Sequence, residues 1–109
     1  TIDHSVVEEL VKANIITEEE AKTHPRRNHI TRAIGTDEMV IVDIFKKQID
    51  AGNKILLTSD GLTGFVDDNT IKDTLLKDED VNDLTKELIN TANDVSGRDN
   101  ISVILIEEK

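Results

Sequence analysis

The chain has 109 residues, a formal net charge of −10 and no cysteine. That length holds one small domain with a modest core, and the acidity argues against nucleic acid or an anionic membrane as the main partner while suiting divalent cations. With aromatic residues at 2% and no Trp or Tyr, the core has to come from Ile, Leu and Val. A disulfide framework and a thiolate metal site are excluded, which fits a cytoplasmic protein. No run is long enough to span a bilayer and no signal peptide opens the chain. The sequence starts at Thr1 and runs at once into a helix signal, so it is expected to be a piece of a longer protein.

The first predicted helix opens at Ser5. Ser5-Val6-Val7-Glu8 has the form of a capping box, in which a hydroxyl and a carboxylate satisfy orphan amides reciprocally. Val6, Val7, Leu10 and Val11 then put an apolar stripe on one face. Thr17-Glu18-Glu19-Glu20 repeats the device, and its helix must end near His24, because a residue before proline is steered out of the α region. Joined at Asn14-Ile15-Ile16, the two make a helical hairpin with an architectural role.

His24-Pro25-Arg26-Arg27-Asn28-His29 is the basic cluster of an acidic chain. Paired arginines bind phosphate well through their forks of donors, which offers a contact to a phosphorylated substrate. The more ordinary reading, preferred here, is a solvated loop that neutralises itself. His4, His24 and His29 match no metal-binding helix spacing, and no histidine metal site is expected.

Residues 30–35 read as a short strand closed by Gly35, and Met39-Val40-Ile41-Val42-Asp43-Ile44-Phe45 as a longer β-branched one. A strand from Lys54 follows closely, and strands so joined are most simply antiparallel neighbours. In Lys54-Ile55-Leu56-Leu57-Thr58-Ser59-Asp60-Gly61-Leu62 an apolar run climbs to one carboxylate and stops at a glycine. A strand buried on both faces holds its last residue rigidly, so Asp60 is presented from a stiff stem. Gly61, without a Cβ, lets another group approach closely. The arrangement suits a metal or phosphate site; taken alone, a plain Asp-Gly turn is the commoner meaning.

Beyond it, residues 62–66 form a brief apolar connection with one helical turn, and Asp67 or Asp68 caps a helix that turns Ile71, Leu75 and Leu76 inward. Asp78-Glu79-Asp80 fails as a calcium loop: Asp83 stands where glycine is needed and Ile89 where a bidentate glutamate is needed. Asp80 is instead the N-cap of the longest helix, with Val81, Leu84, Leu88, Ala92 and Val95 as its stripe and Gly97 as its stop. Ser96-Gly97-Arg98-Asp99-Asn100 then feeds a strand over residues 101–106. Helices, strands, helices and a final strand, without βαβ alternation, give an α+β class with helices packed on an antiparallel sheet.

Asp60 leaving one strand and Asp99 entering another together resemble the C-terminal half of the metal-dependent (type 2C) serine/threonine protein phosphatases. Leu56-Leu57-Thr58-Ser59-Asp60-Gly61-Leu62 is similar to that family's leucine-rich strand ending in Ser-Asp-Gly-Leu. Ser96-Gly97-Arg98-Asp99-Asn100-Ile101-Ser102-Val103 is similar to its Gly-Gly-x-Asp-Asn-Ile-Thr motif. Thr1-Ile2-Asp3-His4-Ser5 resembles its Thr-x-Asp-His-Ser segment, and residues 24–35 resemble the bacterial form of the stretch that follows. The likeness covers nearly the whole chain in the family's order.

That resemblance implies the C-terminal part of an α-β-β-α sandwich, with residues 1–109 as a single partial domain. It implies Asp60 and Asp99 as metal ligands and Asn100 as a supporting neighbour of Asp99. It further implies Mn²⁺ or Mg²⁺ in a binuclear centre, whose bridging water attacks phosphoserine or phosphothreonine with no protein nucleophile. Hard cations take oxygen ligands, and two clamped metals stabilise attacking and leaving oxygens. Phosphorylated proteins would be the substrates and a bacterial cytoplasm the setting.

The departures are also legible. Ser96 replaces the first glycine of the second motif, and Asn53 stands where many relatives carry Asp. The family's N-terminal half, with the remaining metal-binding aspartates and a phosphate-binding arginine, is absent. Two carboxylates are too few to hold a two-metal centre tightly, so the chain alone is expected to be inactive. Its open sheet edges are expected to favour pairing with a second copy. The competing reading is a non-enzymatic interaction module or a degenerate phosphatase relative. A receiver-type phospho-acceptor at Asp60 is weakened by the missing βαβ order and the lack of an acidic pair on an earlier strand.

Overall fold

The computed structural model describes residues 1–108. The chain separates into two compact units, Thr1–Lys47 and Gln48–Lys109.

In the first unit, α1 (Val6–Lys12) and α2 (Glu18–Thr23) form the expected hairpin. The capping box of α2 is complete: Glu20 N–H donates to Thr17 Oγ1 at 3.2 Å, and Thr17 N–H to Glu20 Oε2 at 2.7 Å. At α1 only half of the box forms. Ser5 Oγ accepts from Glu8 N–H at 3.3 Å, but its proton goes to Asp3 Oδ2 at 2.8 Å, and the Glu8 carboxylate lies near Lys12 at 3.7 Å. Asn14, at φ 55°, turns the chain after α1, a left-handed conformation that Asn tolerates. His24 is extended, as the residue before Pro25 must be.

The strands expected over residues 30–35 and 39–45 do not form. Ile30 makes an isolated antiparallel bridge to Ser5, and the residues beyond it are irregular. Ile34 is 93% exposed and Ile44 82%. A β-branched composition measures fitness for a pleated, half-buried surface, and a strand exists only through its ladder; these residues have no ladder partner among the described residues. Side chains tie the segment down instead. Asp43 Oδ2 lies 2.7 Å from His4 Nε2 and 3.1 Å from Arg32 Nη1, and Arg32 also reaches the Ile41 carbonyl at 3.4 Å. The His4 hydrogen bond, then Arg32, hold the Asp43 carboxyl below the usual aspartate range.

The second unit contains β1 (Lys54–Thr58), α3 (Asp60–Thr63), α4 (Asp68–Leu75), α5 (Val81–Val95) and β2 (Val103–Glu107). β1 pairs antiparallel with β2, in register from Lys54↔Glu107 to Thr58↔Val103. The neighbour of the central strand is thus the last strand of the chain, not residues 39–45. Shared packing outweighs short connection here: Leu56 and Val103 both pack on a core of Leu62, Val66, Ile71, Leu88 and Ala92.

The caps of α4 and α5 fall where the sequence puts them. Asp67 accepts from Thr70 N–H at 3.0 Å and from its hydroxyl at 2.7 Å, while Asp80 accepts from Asn82 N–H at 2.8 Å. Leu62, Leu84 and Leu88 are fully buried. The architecture is α+β, with helices packed on one face of an antiparallel sheet. The other face carries the cross-strand pairs Ile55↔Ile106 and Leu57↔Ile104, and Ile104 is 60% exposed.

Candidate functional site

Asp60 and Asp99 stand on adjacent loops at one end of the β1–β2 ladder. β1 delivers Asp60 to the first position of α3, with Ser59 as the N-cap. Leu62, buried in the core, anchors that turn from below. Asp60 holds α3 closed through its own carbonyl, which accepts from Gly64 N–H at 2.8 Å. Its carboxylate is exposed and receives no hydrogen bond among the described residues.

The second loop is made by the stop of α5. Ser96 N–H and Gly97 N–H both donate to the Ala92 carbonyl, at 3.0 and 3.3 Å, and Gly97 takes φ +58°, the left-handed conformation that ends a helix. Asp99 follows, exposed, with Oδ1 accepting from Asn100 N–H at 2.7 Å. Ile101 then dips into the core and starts the path to β2. Ser96 fits this turn at a cost, because its hydroxyl is buried without a hydrogen-bond partner.

Backbone contact joins the two loops. Ser59 N–H donates to the Ser102 carbonyl at 3.0 Å, Ser102 N–H to Ser59 Oγ at 3.0 Å, and Ser59 Oγ to the Asn100 carbonyl at 3.4 Å. Gly61 lies so close to Asn100 that a Cβ there would sit 2.1 Å from the Asn100 oxygen. Glycine is needed at this position for approach rather than for a left-handed turn.

Two exposed carboxylates on clasped loops are hard oxygen donors of the kind Mg²⁺ and Mn²⁺ take, so they fit part of such a site. They are not a complete one: among the described residues no group of three or more His, Cys, Asp or Glu side chains is placed to hold a metal. A groove of about 710 Å³ along β1 and α4, lined by Leu56, Ile71, Lys72 and Leu75 among others, includes neither aspartate.

The remaining candidates are accounted for locally. Arg26 N–H donates to His24 Nδ1 at 3.0 Å and Arg27 Nη1 to the His24 carbonyl at 3.5 Å, so the basic loop folds on itself. Asn100 touches the site through its main chain, between Asp99 and Ser59. The sequence reading did not single out Ser59. Its only signal was a serine at the point where strand becomes helix.

No family model matches the chain. The chain is 41% identical over 106 residues to the protein phosphatase PhpP of Streptococcus pneumoniae, a match covering 97% of this chain and 43% of that protein. It superposes on the crystal structure of the serine/threonine phosphatase Stp1 from Staphylococcus aureus with a TM-score of 0.93 and 44% identity, covering 100% of this chain and 43% of that one. With the Mycobacterium tuberculosis serine/threonine phosphatase PstP/Ppp the TM-score is 0.91 and the identity 37%, over 100% and 46% of the two chains. The chain spans less than half the length of the curated relatives it matches. Its homologues and structural neighbours are bacterial serine/threonine phosphatases of the PPM type, and the chain corresponds to a part of them.

Proposed function

We propose that this chain is the C-terminal part of the catalytic domain of a metal-dependent protein serine/threonine phosphatase, and that Asp60 and Asp99 are metal ligands in it. One observation carries the reading: the two aspartates lie on loops clasped at one end of a ladder, in a chain similar throughout to phosphatases. A binuclear Mn²⁺ or Mg²⁺ centre, when bound, supplies a hydroxide-like nucleophile and charge stabilisation at the phosphoryl group of a phosphoserine or phosphothreonine in a protein substrate. This chain's own part is to hold two carboxylates on stiff stems. Leu62 and Ile101 root the loops in the core, and Gly61 lets them touch.

The remaining ligands and a substrate cleft would come from chain outside these residues, so the 109-residue chain alone is expected not to turn over phosphoprotein. The cysteine-free composition supports a cytoplasmic site of action. The apolar outer face of the β1–β2 sheet, with Leu57 51% and Ile104 60% exposed, supports self-association of the isolated chain.

The test grafts this chain onto the complementary part of a full-length bacterial relative and measures Mn²⁺-dependent hydrolysis of a phosphothreonine peptide. Asp60→Ala and Asp99→Ala should each lower turnover at fixed metal by about 100-fold or more, beyond the loss usual for outer-sphere partners. Unchanged turnover in both variants of an active graft would show that neither is a ligand.

A further inference from the structure

Ser59 occupies the N-cap of α3, where a serine hydroxyl ordinarily accepts from an amide two or three residues on. It makes no such bond here. The hydroxyl turns across to the other strand, accepting from Ser102 N–H at 3.0 Å and donating to the Asn100 carbonyl at 3.4 Å.

The reason lies in the ladder. Beyond Thr58↔Val103 the next residues across are Ser59 and Ser102, and Ser59 N–H still donates to the Ser102 carbonyl at 3.0 Å. The Ser59 carbonyl, however, has left the ladder and accepts from Leu62 N–H at 3.2 Å as α3 begins. Ser102 N–H would lose its acceptor at that point, and the Ser59 hydroxyl takes the place of the departed carbonyl. One side chain thereby lets strand become helix immediately before Asp60 while the facing loop stays in register.

We propose that Ser59 is a positioning residue for the carboxylate pair: its hydroxyl sets the spacing of Asp60 and Asp99 by fixing the first loop against the second. The inference rests on the reading of both aspartates as metal ligands. Asn100 links the two ends. Its carbonyl receives the Ser59 hydroxyl while its N–H holds Asp99 Oδ1 at 2.7 Å, so a shift of Ser59 reaches Asp99 through one residue. The core beneath the loops, Leu62 and Ile101 included, is untouched by removing the hydroxyl. Alanine therefore separates positioning from folding, and threonine keeps the hydroxyl on the same extended backbone.

The test is an Mn²⁺ titration of the active graft described above, in which the remaining ligands are supplied, followed through paramagnetic broadening of the Asp60 and Asp99 amide signals, in wild type, Ser59→Ala and Ser59→Thr. In wild type both signals should broaden over one common concentration range. Ser59→Ala should raise the concentration for half-broadening by roughly tenfold, as loss of a partner that orients metal ligands does, and should split the two responses. Ser59→Thr should restore the wild-type pattern. Without metal, amide exchange at Ser102 should quicken in the alanine variant only. A wild-type Mn²⁺ response in Ser59→Ala with a rapidly exchanging Ser102 amide would overturn the positioning role, as would a folded Ser59→Thr that restores nothing. Absence of broadening at Asp60 and Asp99 in wild type would instead overturn the ligand reading, and the positioning role with it.

Discussion

Replacing Gly61 by alanine would set a methyl carbon 2.1 Å from the Asn100 carbonyl oxygen and 2.9 Å from its carbonyl carbon. Carbon and oxygen normally keep roughly 3.3 Å or more apart, so about 1 Å or more of overlap has to be relieved. The obstructing atoms are backbone and cannot rotate away. Gly61 is not among the glycines at positive φ, so the penalty is contact and not dihedral strain. Relief means separating the loops, which are also joined by the Ser59 bonds to Asn100 and Ser102.

Overpacking of this kind costs about 1–3 kcal/mol, and two lost hydrogen bonds add about 1 kcal/mol each, for a total of about 3–5 kcal/mol. In a domain of this size 1 kcal/mol moves Tm by about 4–8 °C. Gly61→Ala should therefore lower Tm by about 12 °C or more, measured by circular dichroism. Thr63→Ala, exposed on the same short helix, should stay within about 0.5 kcal/mol of wild type. If the two variants melt within about 3 °C of each other, the close approach of the Asp60 and Asp99 loops is wrong.

Two further outcomes are expected. The Thr17 backbone N–H, then its hydroxyl, hold the Glu20 carboxyl below its usual value of 4.5. The folded value is thus depressed, so the cap's contribution is present above the unfolded value and fades as pH falls through the folded one. A carboxyl ¹³C titration should find Glu20 below 4.5, and Thr17→Ala, which removes the hydroxyl but keeps the backbone N–H, should raise it only part of the way back; a wild-type value at or above that of the variant would refute the hydroxyl's part in the capping box. Self-association through the outer sheet face predicts that Leu57→Thr with Ile104→Thr abolishes a concentration-dependent rise in sedimentation coefficient. A wild-type chain that sediments as a monomer at every concentration would exclude it.

Local chemistry was the most legible part of this chain. Thr17, Asp67 and Asp80 were readable as caps because each needs only its own side chain and an amide two or three residues away. Of the stripe Val81, Leu84, Leu88, Ala92 and Val95, read from helical period alone, Leu84, Leu88 and Ala92 are buried, whereas Val81 is half-buried and Val95, at the helix end, is 60% exposed. Residues 39–45 misled for the opposite reason. Their composition suits a strand, but whether a strand forms is decided by a partner, and none is present among the described residues. Pairing by proximity in sequence failed likewise, because loop length costs little against the burial that β1 and β2 share over α5.

For the candidate site, the sequence by itself singled out the candidates: Asp60 at the end of an apolar run, Asp99 after a helix stop, and Gly61 as a residue that allows close approach. Residue type and periodic pattern are written into the chain, so the candidate residues and the α+β class could be read directly. Only the tertiary structure decided that β1 pairs with the last strand, which carries the Asp99 loop against the Asp60 turn. Only it showed that Ser59 gives up its helix cap to replace a carbonyl in the ladder. Both depend on which backbone groups lie across from which, and that register is set by side chains packing on a common core rather than by neighbours along the chain.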